Sequence, residues 1–433
     1  MRRRSITTPG SAPATAPGRA RAAFVPDPRP GGRGSTGRRR PGAARSAQRK
    51  PTLQLRADGA QAVHSDSSGP FFNCVAISTS PDPTGTYYRY AFSAPQFPDY
   101  PKYGVWPDAY YLNTREGDTT LGNYALERAE MLAGNPAARV VRFGVGPGYQ
   151  YGNGLLPSDL DGEDLPPAGS PNYFIGTQDN DGSYGAPIDA INIYEFHVDW
   201  GTPANSTFTG PTTLPTDPFD SAFPCSGRNC IPQPGTSVKL DILSYRQRPT
   251  WRAAYRNFGD HESLVTSQSV EAQPGIAGMR WYELRGLGGT PAIYQQGTYS
   301  PDTVIHRWMG SVAMDGSGNM ALGYSVSNGV DVYPGIRYTG RLASDPLGTM
   351  PQGENTLIAG TGSQTGTASR WGDYASTSID PADDCTPTGG VPARLFRRLG
   401  HLQARCLEEP PQRRVIRVLD RFQGGPSREE ITD

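Results

Sequence analysis

The densest group of ionisable side chains in this chain is Asp260-His261-Glu262. A carboxylate beside an imidazole is what proton transfer or metal ligation requires, so the triplet is the first candidate for acid–base chemistry. Its Asp also ends Phe258-Gly259-Asp260, which is echoed by Trp106-Pro107-Asp108 and Trp371-Gly372-Asp373. That recurrence points to a turn residue. His261 and Glu262 are not repeated, and in a strand they point to opposite faces. Arg256, Arg280, Arg307, Arg337, Arg341 and Arg370 could clamp the carboxylate of an acidic sugar, and Arg256, Arg280 and Arg307 are the binding candidates. Asp159-Leu-Asp161-Gly-Glu163-Asp164 and Asp179-Asn-Asp181-Gly-Ser183 place oxygen donors in Gly-containing loops. This pattern suits calcium, although neither loop has the EF-hand spacing. Asp159, Asp161, Asp179 and Asp181 are the metal candidates, and calcium is the one cofactor they admit. No phosphate loop or Ser-His-Asp spacing is visible, and Gly144-Val-Gly146-Pro-Gly148 lacks the last Gly of a dinucleotide fingerprint.

The elements that must position these residues read as strands. Asp82-Pro83-Thr84-Gly85-Thr86 is followed 20 residues later by the Trp106 step, and Asp345-Pro346-Leu347-Gly348-Thr349 is followed 22 residues later by the Trp371 step. A weaker copy, Pro234-Gly235-Thr236, precedes Phe258 by 22 residues. Turn and aromatic step together read as the corner of a repeated β unit. Strands are expected at 71–79, 87–92, within 106–114, and at 173–177, 191–200, 206–214, 263–270, 279–285, 308–314, 320–326 and 335–340. One helix is expected from Tyr124 to Ala133, stopped by Gly134, and 144–187 reads as a long polar loop around its single strand. Met314-Asp-Gly-Ser-Gly-Asn319 reads as a hairpin turn. Strands without βαβ alternation, at a period of about 40–60 residues, predict an all-β β-propeller over 70–385, with about six to seven four-stranded blades.

Four stretches carry a family resemblance: Cys74-Val-Ala-Ile-Ser-Thr-Ser-Pro-Asp-Pro-Thr-Gly, Tyr103-Gly-Val-Trp-Pro-Asp-Ala-Tyr-Tyr-Leu, Tyr255-Arg-Asn-Phe-Gly-Asp-His-Glu-Ser-Leu-Val and His306-Arg-Trp-Met-Gly-Ser-Val-Ala-Met-Asp. Over 70–385 the chain resembles a group of secreted bacterial proteins similar to β-propellers of the sialidase type. Ser80-Pro-Asp82-Pro-Thr-Gly85-Thr-Tyr-Tyr88 is similar to the sialidase Asp-box, with one extra residue. That box is a turn on the propeller rim, so the resemblance implies fold more than chemistry. The Arg-Ile-Pro signature of sialidases is absent.

Charge is unevenly distributed. Residues 1–69 hold 14 Lys+Arg against 3 Asp+Glu, whereas 70–385 holds 18 against 32 and all six Trp. The basic arm, with Arg2-Arg3-Arg4 and Arg38-Arg39-Arg40, has three readings: a disordered low-complexity segment, an arm binding nucleic acid or an anionic surface, or an export signal lacking its apolar stretch. A fourth reading covers this arm and the segment 386–433. Arg/Pro/Gly/Ala-rich text without Trp or Tyr is what a GC-rich gene yields out of frame. Cys225-Ser-Gly-Arg-Asn-Cys230 fits a local disulfide, while Cys74 sits in an apolar strand. With only three Lys and an acidic, Tyr-rich middle, the chain suits a secreted or cell-surface location. No stretch is apolar enough to span a membrane, and the acidic middle argues against nucleic acid. The expected role is non-catalytic binding of an extracellular glycan or protein, and the alternative is a glycoside hydrolase of sialidase-like architecture. Three Arg converging beside a Tyr-Glu pair would favour the alternative. Reading the other frames around codons 55–70 and 383–390 checks the frame reading. An aromatic, strand-like continuation is expected there, and frames giving none would remove it.

Overall fold

The computed structural model describes residues 69–389 apart from 83, 147, 223–227, 243–246, 367 and 382, together with 18–19 and 53–54. The arginine runs at 2–4 and 38–40, the tail beyond 389, Cys225 and Cys406 lie outside the described residues. The protein is all-β: the one described α-helix, α1 (Arg128–Leu132), has five residues. No described helix is long and apolar enough to cross a membrane. The chain forms two compact units. One comprises Met1–Leu160, Pro167–Gln178 and Ile191–Thr213, and the other comprises Asp161–Pro166, Asp179–Ala190 and Leu214–Asp433.

In the first unit, β1 (Gly18–Arg19) and β2 (Leu53–Gln54) are two-residue strands, and β3 (Phe71–Ser78) pairs with β4 (Tyr87–Ala94) in a hairpin. Next come β5 (Pro98–Val105), β6 (Ala109–Glu116), β7 (Thr120–Glu127) and β8 (Arg139–Val145), each antiparallel to the one before. A second run of consecutive neighbours follows: β9 (Leu156–Leu160), β10 (Asn172–Gln178), β11 (Ala190–His197) and β12 (Thr207–Pro215). The side chains of Val75, Ile77, Tyr90, Tyr110, Leu112, Tyr124 and Leu126 pack together as a core. Burying each large side chain of this kind contributes roughly 1.5–3 kcal/mol.

The second unit repeats the plan. β13 (Asn229–Gln233) and β14 (Thr236–Asp241) form a hairpin. β15 (Thr250–Asn257), β16 (Glu262–Gln273), β17 (Ile276–Arg285) and β18 (Ala292–Tyr299) run antiparallel in sequence order. So do β19 (His306–Met314), β20 (Met320–Ser327), β21 (Gly335–Arg341) and β22 (Asn355–Ile358). The short pair β23 (Thr377–Ile379) and β24 (Pro387–Gly389) follows. Met279, Trp281, Val312, Leu322, Tyr324 and Val326 form this unit's core.

The repeated turns take recognisable places. The Trp106 amide donates to the Ala109 carbonyl at 3.1 Å, and the Phe258 amide donates to the His261 carbonyl at 2.9 Å. Both turns join the first two strands of a four-strand run, β5 to β6 and β15 to β16. The Trp371 copy departs from this: there the Ala375 amide donates to the Gly372 carbonyl, in the loop before β23. Asp82 closes the β3–β4 hairpin, its carboxylate accepting from the Thr84 amide at 2.9 Å. The expected hairpin after Met314 forms, with the Asp315 amide donating to the Asn319 carbonyl at 2.9 Å.

The structure departs from the expectations at three places. The region 144–187, expected to hold one strand, holds β9 as well as β10. The helix expected from Tyr124 starts only at Arg128, because Thr120–Glu127 is strand β7. β7 lies between β6 and β8 and is buried on both faces, so it shows no polar–apolar alternation to mark it as a strand. Gly134 does end the helix: it sits at φ +74°, and a Cβ there would meet the Tyr88 ring. β5, which carries Pro98 and Pro101, is not among the expected strands. It lies at the end of its run, where a proline removes no ladder bond, and its register slips between Asp99 and Lys102.

His306 on β19 offers a test of this core. It is 6% exposed, and its Nδ1 accepts from the Ala277 amide at 3.3 Å. Burial, helped by the charges of Lys239 and Arg307, lowers its pKa to about 4. The unfolded chain takes up the proton near pH 6.5, so stability is lost as pH falls from about 6.5 towards 4. The full effect is about 3 kcal/mol. Urea midpoints at pH 7 and pH 4.5 should fall further for the wild type than for His306→Gln, by about 2 kcal/mol. Equal losses would count against a neutral buried His306.

Candidate functional site

The triplet lies at the β15–β16 turn. Gly259 takes φ +87° there, which a residue with a Cβ resists. The Asp260 side chain is 83% exposed, and its carboxylate lies 2.7 Å from His261 Nδ1. This bond holds the Asp260 carboxyl below the usual range. The His261 ring stacks on Phe258, with centroids 4.8 Å apart. Glu262 turns away: it accepts from the Tyr255 hydroxyl and from the Gly288 amide. Only the Asp260–His261 pair is therefore brought together. The other two repeated aspartates bond differently, Asp108 accepting from the Tyr111 hydroxyl and Asp373 from Arg370.

The three candidate arginines are each engaged with different partners inside the second unit. Arg256 forks onto Asp384 with both bonds at 2.7 Å, and its Nε donates to the Met314 carbonyl. Arg280 donates to Thr298 Oγ1, the Asp217 carbonyl and Gln296 Oε1. Arg307, fully buried, donates to Glu354 at 2.7 Å, Asp302 at 2.6 Å and the Ile305 carbonyl at 2.8 Å.

Three of the four candidate metal ligands, Asp159, Asp161 and Asp179, hold protein donors, whereas Asp181 enters through its backbone amide. Asp159 accepts from the Val105 amide at 3.0 Å, and Asp161 is gripped by both terminal nitrogens of Arg252. Asp179 is fully buried. It accepts from the Ser221 amide and hydroxyl, both at 2.6 Å, and from the Asp181 amide at 2.9 Å. Burial raises its pKa against those bonds. Among the described residues no group of three His, Cys, Asp or Glu is arranged to hold a metal. Cys74 is the free thiol of the described residues, whereas Cys230 and Cys385 each have a partner. With Cys225 outside the described residues, the Cys225–Cys230 disulfide stands as a proposal.

Two features escaped the sequence. The first is a cluster around Glu354, which accepts from Arg307 at 2.7 Å, from Arg337 at 2.7 Å and from the Tyr324 hydroxyl at 2.8 Å. Burial raises the Glu354 pKa, but the three donors outweigh it and hold the carboxyl below its usual value. Burial first, then Glu354, pushes Tyr324 well up. Its members are 30 residues or more from Glu354 except Arg337, a separation that no local motif marks. The second is a groove of about 540 Å³ beside β18, walled by Leu214, Pro215, Ile293, Tyr294, Leu347 and Gly348. β18 ends the order β15-β16-β17-β18, and its register against β17 slips between Gln295 and Ile293, leaving Tyr294 as the extra residue. Such a bulge re-aims the side chain it carries, and Tyr294 is 42% exposed. No protein-family model matches the chain, and no curated protein matches its sequence.

Asp179 separates a structural loop from a calcium site. Asp179→Ala should cost about 1–3 kcal/mol in urea unfolding, because buried amide donors lose their acceptor. Millimolar calcium should leave the wild-type melting temperature unchanged. A calcium-dependent rise that Asp179→Ala abolishes would identify an ion site instead.

Proposed function

We propose that this chain is a secreted or cell-surface β-propeller that binds an extracellular glycan or protein partner and catalyses no reaction. Two runs of four consecutive antiparallel strands, 98–145 and 306–358, support the blade reading, since each has the length and strand order of a blade. The observation that carries binding is the groove along β18, where a bulge presents Tyr294 between apolar walls and the Gln295 and Gln296 side chains. Tyrosine offers a rigid apolar face with a polar tip, which suits the CH faces and hydroxyls of a sugar. The occupied state of Arg256, Arg280 and Arg307 supports a non-catalytic role.

Glycoside hydrolysis is the second reading, favoured by one observation: Tyr324, Glu354, Arg307 and Arg337 form the Tyr-Glu-Arg grouping such chemistry uses. Against it, Tyr324 is 2% exposed and both arginines are bonded to Glu354 itself rather than left for a substrate. A nucleophile needs an accessible oxygen and a base free to take its proton.

A glycan array probed with the full chain, followed by titration of any hit, tests both. Tyr294→Ala should weaken binding about tenfold or more, the loss of one stacking anchor. No turnover of aryl glycosides is expected. Turnover that Tyr324→Phe abolishes would replace binding by hydrolysis, and unchanged binding by Tyr294→Ala would remove the groove from the reading.

A further inference from the structure

Arg341 stands at the end of β21 and is 2% exposed. Its Nη2 donates to the Asp345 carbonyl at 2.7 Å, while its buried Nε has no hydrogen-bond partner. The two carboxylates whose charges reach it, Glu283 and Asp345, are engaged elsewhere. Glu283 accepts from Ser263, Arg285 and Gln295. Asp345 accepts from the Leu342 amide at 2.7 Å and from Gln352 at 2.8 Å. Arg341 is thus a buried cation without an ion-pair partner among the described residues. A charge left in that state is costly, and it favours any anion that comes near.

Arg341 sits close to the groove. The loop it bonds at Asp345 continues into Leu347 and Gly348, which form one wall, and its charge reaches Tyr294 and Arg285. Arg285 commits only its Nε, to Glu283 at 2.7 Å. The rest of its guanidinium lies over the Tyr294 ring, 3.5 Å from the centroid, and its side chain is 30% exposed. A partly solvated guanidinium with open donors beside an exposed tyrosine matches an anionic group carried on a sugar ring. Glu283 and Asp345 lie near these two guanidiniums and offset part of their charge, so the open donors of Arg285 carry the preference for an anion.

We propose that the groove along β18 takes an anionic saccharide, with Tyr294 stacking on the ring, Arg285 meeting the carboxylate or sulfate, and Arg341 holding unpaired positive charge behind the wall. This rests on the glycan reading above and narrows it to one class. The full chain is titrated with polygalacturonate, with heparin and with neutral dextran. At least one acidic polymer should bind about tenfold more tightly than dextran and weaken as salt rises. Binding of polygalacturonate alone marks a carboxylate site, and of heparin alone a sulfate site. Arg285→Gln should lower the acidic affinity about tenfold, and Arg341→Met should lower it while keeping or raising the melting temperature, since it removes an unpaired buried charge. Dextran binding as tightly through Tyr294 would overturn the anionic class and leave the glycan reading standing. Binding of none of the three, or binding indifferent to Tyr294→Ala, would overturn both. Wild-type acidic affinity in Arg285→Gln and Arg341→Met would remove the two arginines and the proposal with them.

Discussion

A guanidinium does not shed its proton on burial, so wherever a strand carries arginine inward the chain must bring acceptors to it. Much of this protein is arranged around that demand. Arg307 on β19 is met by Asp302, Glu354 and the Ile305 carbonyl, and Glu354 in turn receives Arg337 from β21 and Tyr324 from β20. One carboxylate thereby links three strands. In the same unit Arg256 draws Asp384 to β15, and Arg252 draws Asp161. In the other unit Glu116 accepts from Tyr124 and Arg142, which ties β6 to β7 and β8.

This demand bears directly on function. Arg256, Arg307, Glu354 and Tyr324 face inward and bond protein partners. The places that remain open differ in kind: a turn with an exposed Asp–His pair, and a groove where a strand bulge turns a tyrosine outward. Among the described residues Arg280 and Arg341 depart from this pattern, each being buried and bonded to neutral oxygens but to no carboxylate.

Local features were the legible part of the fold. The alternation in Ile191–Trp200 marks β11, the Gly and Asn after Asp315 mark their hairpin, and the Phe258 and Trp106 steps mark equivalent turns. These signals depend on residues within a few positions of one another. β7 lacks a strand signal because strands buried on both faces lose their alternation, and β5 carries two prolines that an edge strand tolerates. The candidate site was less legible. Asp179 and Asp181 carry the composition of a calcium loop, but Ser221, distant in sequence, supplies the donors that occupy Asp179. Arg256 likewise meets an acceptor 128 residues away.

By itself, the sequence determined that the chain is all-β, where its tight turns fall, and that its middle carries the aromatic core. Periodicity and turn chemistry are short-range and survive in one dimension. Tertiary structure alone decided which arginines are internal struts, that Glu354 gathers Tyr324, Arg307 and Arg337, and that a bulge opposite Glu283 exposes Tyr294. The physical reason is that a charge's role depends on its partner and its burial. Strand pairing assigns both between residues that the sequence leaves far apart.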